Sequence, residues 1–519
     1  MKKNLIKKML LIAMLAFNTG FFMVSTNKAY ISEKYNEEDN VYKNFDETRK
    51  LKLSNINDKN LNEREKIEFI DNFQEIQNEV NILGIDVKEE LEKKKEYYNK
   101  EILKTRKPDE KNELQLKIDS TNYLINEYND FSNNSLETNN LSVVADNAVS
   151  LALSIFSSRG YTLAYELLEH MYINNELNSI YKPSNGYLIR YSKTYKDILK
   201  GNKINSKAEF PKTGNSFDDD LYHAISSFNF KLSESKRAFV LTDRYDFDFR
   251  LDYEFVTGIG NNIMYGLQKL GQLTPYYVVI ELENNLPIKN PPRKYLYLNN
   301  NPKFENLTLA KGEYQEYNLT FTTSGYKNLQ TTGYNDTYLE LYDTYGNKLA
   351  YNDDGGYEAN AFIKYYFSAY RTYILKVRFY SSYKLGDIQL LITPSSESSF
   401  SSISEIEKEG WWIFGAYKKK VYKSSNEVRL YKFTPENKKT YTIETSNYYN
   451  DPYLYLVDPR LPFFIDYGNK YNANAKDDDS GKGLRDAKIT KELAKKIPYI
   501  IIAASYNLNY YDEYDINIR

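Results

Sequence analysis

His170 and His223 are the two histidines of the chain, and both fall in a stretch that also carries Glu166, Glu169, Asp243, Tyr245 and Asp246. Imidazole, phenol and carboxylate groups form a general acid–base pair, or a metal centre, where folding brings them within reach of one another. His170, His223, Asp243, Tyr245 and Asp246 are therefore the candidate catalytic residues. No complete catalytic motif joins them. Glu166-x-x-Glu169-His170 lacks the His-Glu-x-x-His spacing of a zinc peptidase, no Gly-x-Ser-x-Gly elbow is present, and there is no cysteine to act as nucleophile, so peptidase activity is not expected. Gly258-Ile259-Gly260 has no third glycine at the spacing of a nucleotide loop and reads as a loop before a helix.

A second set of side chains suits a hard cation. Asp353 and Asp354 precede Gly355-Gly356, and Asp477, Asp478 and Asp479 precede Ser480-Gly481. Consecutive carboxylates repel, and calcium, which takes six to eight oxygen ligands, removes that repulsion while backbone carbonyls of the loop complete the shell. Calcium is the expected cofactor, and no other is indicated. The competing reading is that Asp-Asp-Gly is a solvated turn.

The elements that must position these groups follow from periodicity. Residues 30–140 read as a charged helical segment: Phe69, Phe73, Ile76, Val80 and Leu83 share one helical face, and Leu114, Ile118, Thr121, Ile125 and Tyr128 repeat the pattern. Residues 141–283 read as a central α+β domain of unknown activity, with an apolar helix over 143–156, a turn at Arg159-Gly160, a second helix from Thr162, strands at 238–242 and 276–282, and a helix from about Asn261. Residues 284–296, with Pro287, Pro291 and Pro292, form a stiff linker. Residues 397–409 are serine-rich and read as a flexible tether.

Beyond the prolines the chain repeats itself. Asn335-Asp336-Thr337-Tyr338-Leu339-Glu340-Leu341-Tyr342-Asp343 matches Asn450-Asp451-Pro452-Tyr453-Leu454-Tyr455-Leu456-Val457-Asp458, and Ile363 and Tyr373 match Ile489 and Tyr499. Each acidic loop lies between the same two anchors, and the second copy carries a longer loop around residues 459–476. Period-two alternation and the hairpin signal Asp343-Thr344-Tyr345-Gly346-Asn347 make both copies, 297–396 and 410–519, β-sandwiches.

These residues carry three resemblances. The order Asp-x-Tyr-Leu-x-Leu-Tyr-Asp, Gly, Asn-Asp-Asp and a Tyr-rich strand resembles the bacterial pre-peptidase C-terminal domain, a jelly-roll-like module behind secreted peptidases that is similar to the collagen-binding domains of clostridial-type collagenases. The strings Gly160 to His170, His223-Ala224-Ile225 and Thr242 to Phe247 resemble an uncharacterised domain of secreted bacterial proteins. Asp243, Tyr245 and Asp246 also resemble the Asp-x-Tyr-Asp motif of the colicin M family, which cleaves a lipid-linked cell-wall precursor. That motif continues into a His-Arg pair, and here only Arg250 follows.

Lys2, Lys3, Lys7 and Lys8 precede the apolar run Met9 to Phe17, which resumes over Phe21 to Val24 before Ala29. Residues 1–29 therefore read as a secretory signal peptide, too short to span a bilayer as a stable helix, and a secreted, extracellular protein follows. With no cysteine, stability comes from burial rather than disulfides. A net charge of −2 without a basic stripe excludes nucleic acid as a partner. Fifty-two tyrosines supply either strand formers or amphipathic contact surfaces. The expectation is a multidomain protein with a helical N-terminal segment, a central α+β domain and two all-β sandwiches. The sandwiches bind an extracellular protein or polysaccharide matrix. The alternative is a secreted hydrolase or toxin whose site lies in 141–283.

Overall fold

The computed structural model describes residues 63–134, 141–247, 255–395, 403–405, 417–423, 428–446, 451–461, 475–481, 485–505 and 512–519. The expected signal peptide and Arg250 lie outside them. The chain divides into two compact units. Among the described residues no helix is long and apolar enough to cross a membrane.

The first unit is helical. It contains α1 (Glu63–Ile82), α2 (Val87–Lys104), α3 (Pro108–Asn134), α4 (Leu141–Arg159), the last six residues of α5 (Thr162–Ile173) and, from later in the chain, α8 (Phe255–Lys269). Phe69, Phe73, Ile76 and Val80 are buried on one face of α1, as their spacing predicts. Leu83 is exposed because the helix stops before it, with Gly84 in the left-handed region at φ +61° and the Ile85 N–H returning to the Val80 carbonyl. Two expectations are corrected here. The helical segment does not stand apart from residues 141–283, since α4 and α8 pack with α1, and Gly258 to Gly260 lie within α8 rather than in a loop. At Gly266 of α8 an added Cβ would come within 2.4 Å of the Phe69 ring, so the α1–α8 crossing is set by the missing side chain.

The second unit begins with a five-stranded sheet: β1 (Ile180–Tyr181), β2 (Asn205–Glu209), β3 (Ser227–Leu232), β4 (Ala238–Tyr245) and β5 (Tyr276–Glu283), in the order β1-β5-β4-β3-β2. All pairs are antiparallel except β1 with β5. Helices α6 (Lys193–Lys200) and α7 (Ser216–Ala224) complete this part. On β3, Phe228, Phe230 and Leu232 are buried while Asn229 and Lys231 face the other way, the period-two pattern of a sheet with one apolar face.

Two sandwiches follow in the same unit. The first uses β6 (Lys294–Leu298), β7 (Lys303–Leu309), β8 (Tyr314–Phe321), β9 (Gly325–Thr332), β10 (Thr337–Tyr342), β11 (Lys348–Asn352), β12 (Phe362–Phe367), β13 (Thr372–Phe379) and β14 (Gly386–Pro394). The second uses β15 (Ile403–Glu405), β16 (Tyr417–Lys423), β17 (Arg429–Phe433), β18 (Lys439–Ser446), β19 (Pro452–Val457), β20 (Ala475–Asp477), β21 (Lys488–Leu493), β22 (Tyr499–Ser505) and β23 (Asp512–Ile518). Their sheets have the orders β11-β10-β13-β8-β6 with β12-β9-β14-β7, and β20-β19-β22-β17-β15 with β21-β18-β23-β16. The orders are identical position for position, down to the parallel pairs β6–β8 and β15–β17.

The repeat extends to single hydrogen bonds. Thr331 Oγ1 accepts from the Ala361 N–H at 2.8 Å, and Thr445 Oγ1 from the Ala487 N–H at 2.8 Å. The Tyr373 hydroxyl accepts from the Ser368 N–H at 3.1 Å, and the Tyr499 hydroxyl from the Ala494 N–H at 3.0 Å.

Both expected linkers are corrected. Lys294–Leu298 is a sandwich strand, held further by the Arg293–Glu316 ion pair and by Gln315 donating to the Pro292 carbonyl. In the serine-rich stretch, Ile403–Glu405 pairs with β17, and the rest lies outside the described residues. Nor are the sandwiches independent beads. Leu391 on β14, with Phe304 beside it, packs against Val428, Leu430, Val457, Ile500, Ile502 and Ala504 of the second copy. Every residue of β14 and of β22 is buried, because each strand has a sandwich core on one face and its neighbour on the other.

Candidate functional site

The candidate catalytic residues fall in both compact units. His170 belongs to the first unit, whereas His223, Asp243, Tyr245 and Asp246 belong to the second. Burial of the His170 ring, with a smaller push from Lys117, lowers its pKa to about 3, so the imidazole is neutral across the physiological range. His223, near the end of α7, stacks on Tyr161 at 5.3 Å and meets Tyr222 edge-on.

Asp243 and Tyr245 lie at the end of β4, and Asp246 follows it. Burial, reinforced by the Asp246 charge, holds the Asp243 carboxyl well above the usual carboxylate range. Asp246 pairs with Arg244, which also donates to Asn178. Glu166 works as a fastener: it accepts from the Tyr181 hydroxyl and from the backbone and side chains of Ser184 and Asn185, which open the 3-10 helix Ser184–Tyr191. Asp220 accepts the Leu163 and Ala164 N–H groups at 3.0 and 2.8 Å, satisfying the free donors at the start of α5. These carboxylates hold backbone together, and periodicity gives no signal for such long-range partners.

The acidic loops are built alike. Asn352 accepts from the Gly355 and Phe362 N–H groups; Asp477, at the equivalent place, accepts from Ser480 and Lys488. Gly356 and Gly481 each donate to a facing carbonyl, of Asn360 and of Asp486, which a Cβ would meet at 2.6 and 2.5 Å. Asp477, expected as a metal ligand, thus has both oxygens engaged in fastening its loop.

Each loop has a further carboxylate that the repeat aligns but loop composition does not reveal. Burial and the charges of Asp354 and Asp353 raise the pKa of Asp336; burial and the charge of Asp479 do the same to Asp451, with Arg485 opposing and Asp478 adding. Oδ1 of Asp336 and of Asp451 is buried with no hydrogen-bond partner among the described residues. No group of three or more His, Asp and Glu side chains among those residues is drawn together as metal ligands.

The outer face of the five-stranded sheet of the first sandwich carries exposed tyrosines and cations. Tyr338 on β10 lies 6.3 Å from Tyr351 and 6.1 Å from Tyr380, ring to ring, and the Arg378 guanidinium sits 4.1 Å above the Tyr338 ring. The Lys376 ammonium lies 3.9 Å above Tyr314. Glu340 pairs with Lys348 at 2.7 Å and lies 3.6 Å from Arg378. Tyr351 and Tyr380 are 64% and 55% exposed, and Tyr295 and Tyr297 extend the row on β6.

By the aligned registers Tyr338, Glu340, Lys376 and Arg378 correspond to Tyr453, Tyr455, Ile502 and Ala504 of the second copy. There the same face is apolar and covered by β14 and Phe304. One copy therefore presents the face, and the other uses it for packing.

No protein-family model and no curated protein matches the chain. Among solved structures it is similar to the pre-peptidase C-terminal domain of a collagenase from Bacillus anthracis, at 14% identity over all of that chain and 20% of this one, with a TM-score of 0.17. It is also similar to the CUB1-EGF-CUB2 domain of human MASP-1/3, at 11% identity over 99% of that chain and 39% of this one, with a TM-score of 0.13. A third likeness is to the PBSX exported protein XepA, at 7% identity over 85% of that chain and 42% of this one, with a TM-score of 0.15. Likenesses of this size leave function to be argued from the chain's own geometry.

Proposed function

We propose that the chain is a secreted binding protein whose contact surface is the tyrosine and cation face of the first sandwich, directed at an extracellular protein or polysaccharide matrix. The supporting observation is the contrast between copies: the face is open and polar-aromatic in the first and apolar and covered in the second. Tyrosine offers a large area of contact at little cost in side-chain entropy, and its hydroxyl tolerates solvent when no partner is bound. The tandem does not act through avidity between two tethered sites, because the second copy's face is not available.

On insoluble collagen and insoluble polysaccharide compared side by side, Tyr338→Ala/Tyr351→Ala/Tyr380→Ala should weaken retention on the bound polymer by about tenfold or more, with little change in melting temperature. Equal retention of the variant and the parent would remove this face from the account.

Calcium is the proposed cofactor of the acidic loops: Asp353, Asp354 and Asp336 in the first copy and Asp478, Asp479 and Asp451 in the second, not drawn together as the loops stand, would close on the ion as it binds. A cation would offset the burial, and relieve the neighbouring-carboxylate repulsion, that together raise Asp336 and Asp451, and would give their buried oxygens a partner. Millimolar calcium should raise the melting temperature of the full chain relative to chelator, and Asp336→Asn/Asp451→Asn should abolish the difference. Identical melting of the parent in both buffers would refute calcium binding.

A further inference from the structure

A cleft of about 360 Å³ lies within the second unit, between the central sheet and the first sandwich, at the low end of the roughly 300–1,000 Å³ typical of ligand sites. Its floor is set by strand register: Lys207, Asn229 and Thr242 are cross-strand neighbours on β2, β3 and β4, with Asn205 opposite Lys231 in the next row. The facing wall is β7, where Asn306 and Thr308 line the cleft and Leu307 and Leu309 belong to the sandwich core.

The charges divide into committed and uncommitted. Lys231 lies 3.1 Å from Asp387, whose other oxygen accepts from Thr308, and Lys294 lies 3.8 Å from Glu234. Lys207 makes no ion pair among the described residues and stands exposed at the rim. The amides of Asn205 and Asn229 make no side-chain hydrogen bond among the described residues, and the Asn306 carbonyl accepts from Gln389 at 3.0 Å, which leaves its NH2 for the cleft.

Side-chain amides both donate and accept, which suits vicinal hydroxyls; an uncommitted ammonium at the rim suits an acid group. We infer that this cleft binds an acidic saccharide unit, its ring hydroxyls on Asn205, Asn229 and Asn306 and its carboxylate on Lys207. The site is separate from the tyrosine face, so either can fail without the other.

The experiment is isothermal titration of the full chain with tetragalacturonate and with its carboxyl-reduced, neutral counterpart. The acidic oligosaccharide should bind at least about tenfold more tightly than the neutral one, and Lys207→Gln should remove that preference. Asn229→Ala should weaken both ligands, whereas Tyr351→Ala/Tyr380→Ala should change neither. Absence of binding, equal affinity for the two ligands, inorganic sulfate binding as well as the tetramer, or an unchanged preference in Lys207→Gln would each overturn the inference. Lys207 is exposed and on an edge strand, so its variant keeps the fold, and a melting curve verifies this.

Discussion

Replacing Arg460 by alanine should destabilise the second unit by about 3–5 kcal/mol, the cost of leaving a buried charge without its partner. Asp458 has a fully buried side chain, and Arg460 meets it with two bonds, Nε to Oδ1 at 3.0 Å and Nη2 to Oδ2 at 2.8 Å, while Nη1 reaches Glu176 at 2.7 Å. The pair sits at the start of the enlarged loop of the second copy, where the Pro459 carbonyl also accepts the Gly333 N–H of the first copy. Glu176 precedes β1 of the central sheet, so the guanidinium ties the second copy to the central part, and the neighbouring Pro459 carbonyl ties it to the first copy. Chemical denaturation of Arg460→Ala and Arg460→Lys measures this: lysine keeps the charge but loses the forked geometry and should fall between the parent and alanine. A loss below about 1 kcal/mol for alanine would show that the pair is not the fastening described.

Lys327→Met should have the opposite sign. Lys327 is 3% exposed, on a strand whose neighbouring inward residue Leu329 is in the sandwich core, and its ammonium donates to Asn300 at 2.5 Å and makes no ion pair among the described residues. Burial lowers its pKa from 10.5 to about 8. The unfolded chain then holds more protons than the folded one between pH 8 and 10.5, so this group's contribution to stability rises with pH across that window and is least favourable below pH 8. Methionine removes the charged form altogether, and Asn300 keeps its bond from Thr323 at 2.8 Å. The variant should be more stable than the parent at pH 7 by up to about 3 kcal/mol, taking about 1.4 kcal/mol per tenfold of proton affinity. The advantage should shrink as the pH approaches 10.5. A variant less stable than the parent at pH 7 would contradict the burial argument.

Much of this architecture was legible where one element reads out its own burial. The α1 face from Phe69 to Val80 and the repeat from Asn335 to Asp343 are local patterns, and both elements form where the patterns lie. The connector after the prolines hid a strand, although Lys294-Tyr-Leu-Tyr-Leu298 alternates with period two. The docking of the sandwiches also left a trace: Leu375 to Arg378 alternates apolar and polar, whereas Tyr499 to Ala504 is apolar throughout, the mark of a strand covered on both faces. The division of the two histidines between units, and the long-range bonds of Glu166 and Asp220, left no such trace. Partners more than fifty residues apart, such as Asp220 and Leu163, are fixed by packing rather than by spacing.

One face is open in the first sandwich and its counterpart is closed in the second. Nitration of the full chain with tetranitromethane, read by mass spectrometry with and without the matrix that retains it, tests this directly. Tyr351 and Tyr380 should react in the free protein and be protected on the matrix, while the exposed Tyr187 and Tyr191 of the central part should react equally in both states. Tyr453 and Tyr455, partly buried under the first sandwich, should react slowly throughout. Unchanged nitration of Tyr351 and Tyr380 on the matrix, or rapid nitration of Tyr453 and Tyr455 in the free protein, would contradict it.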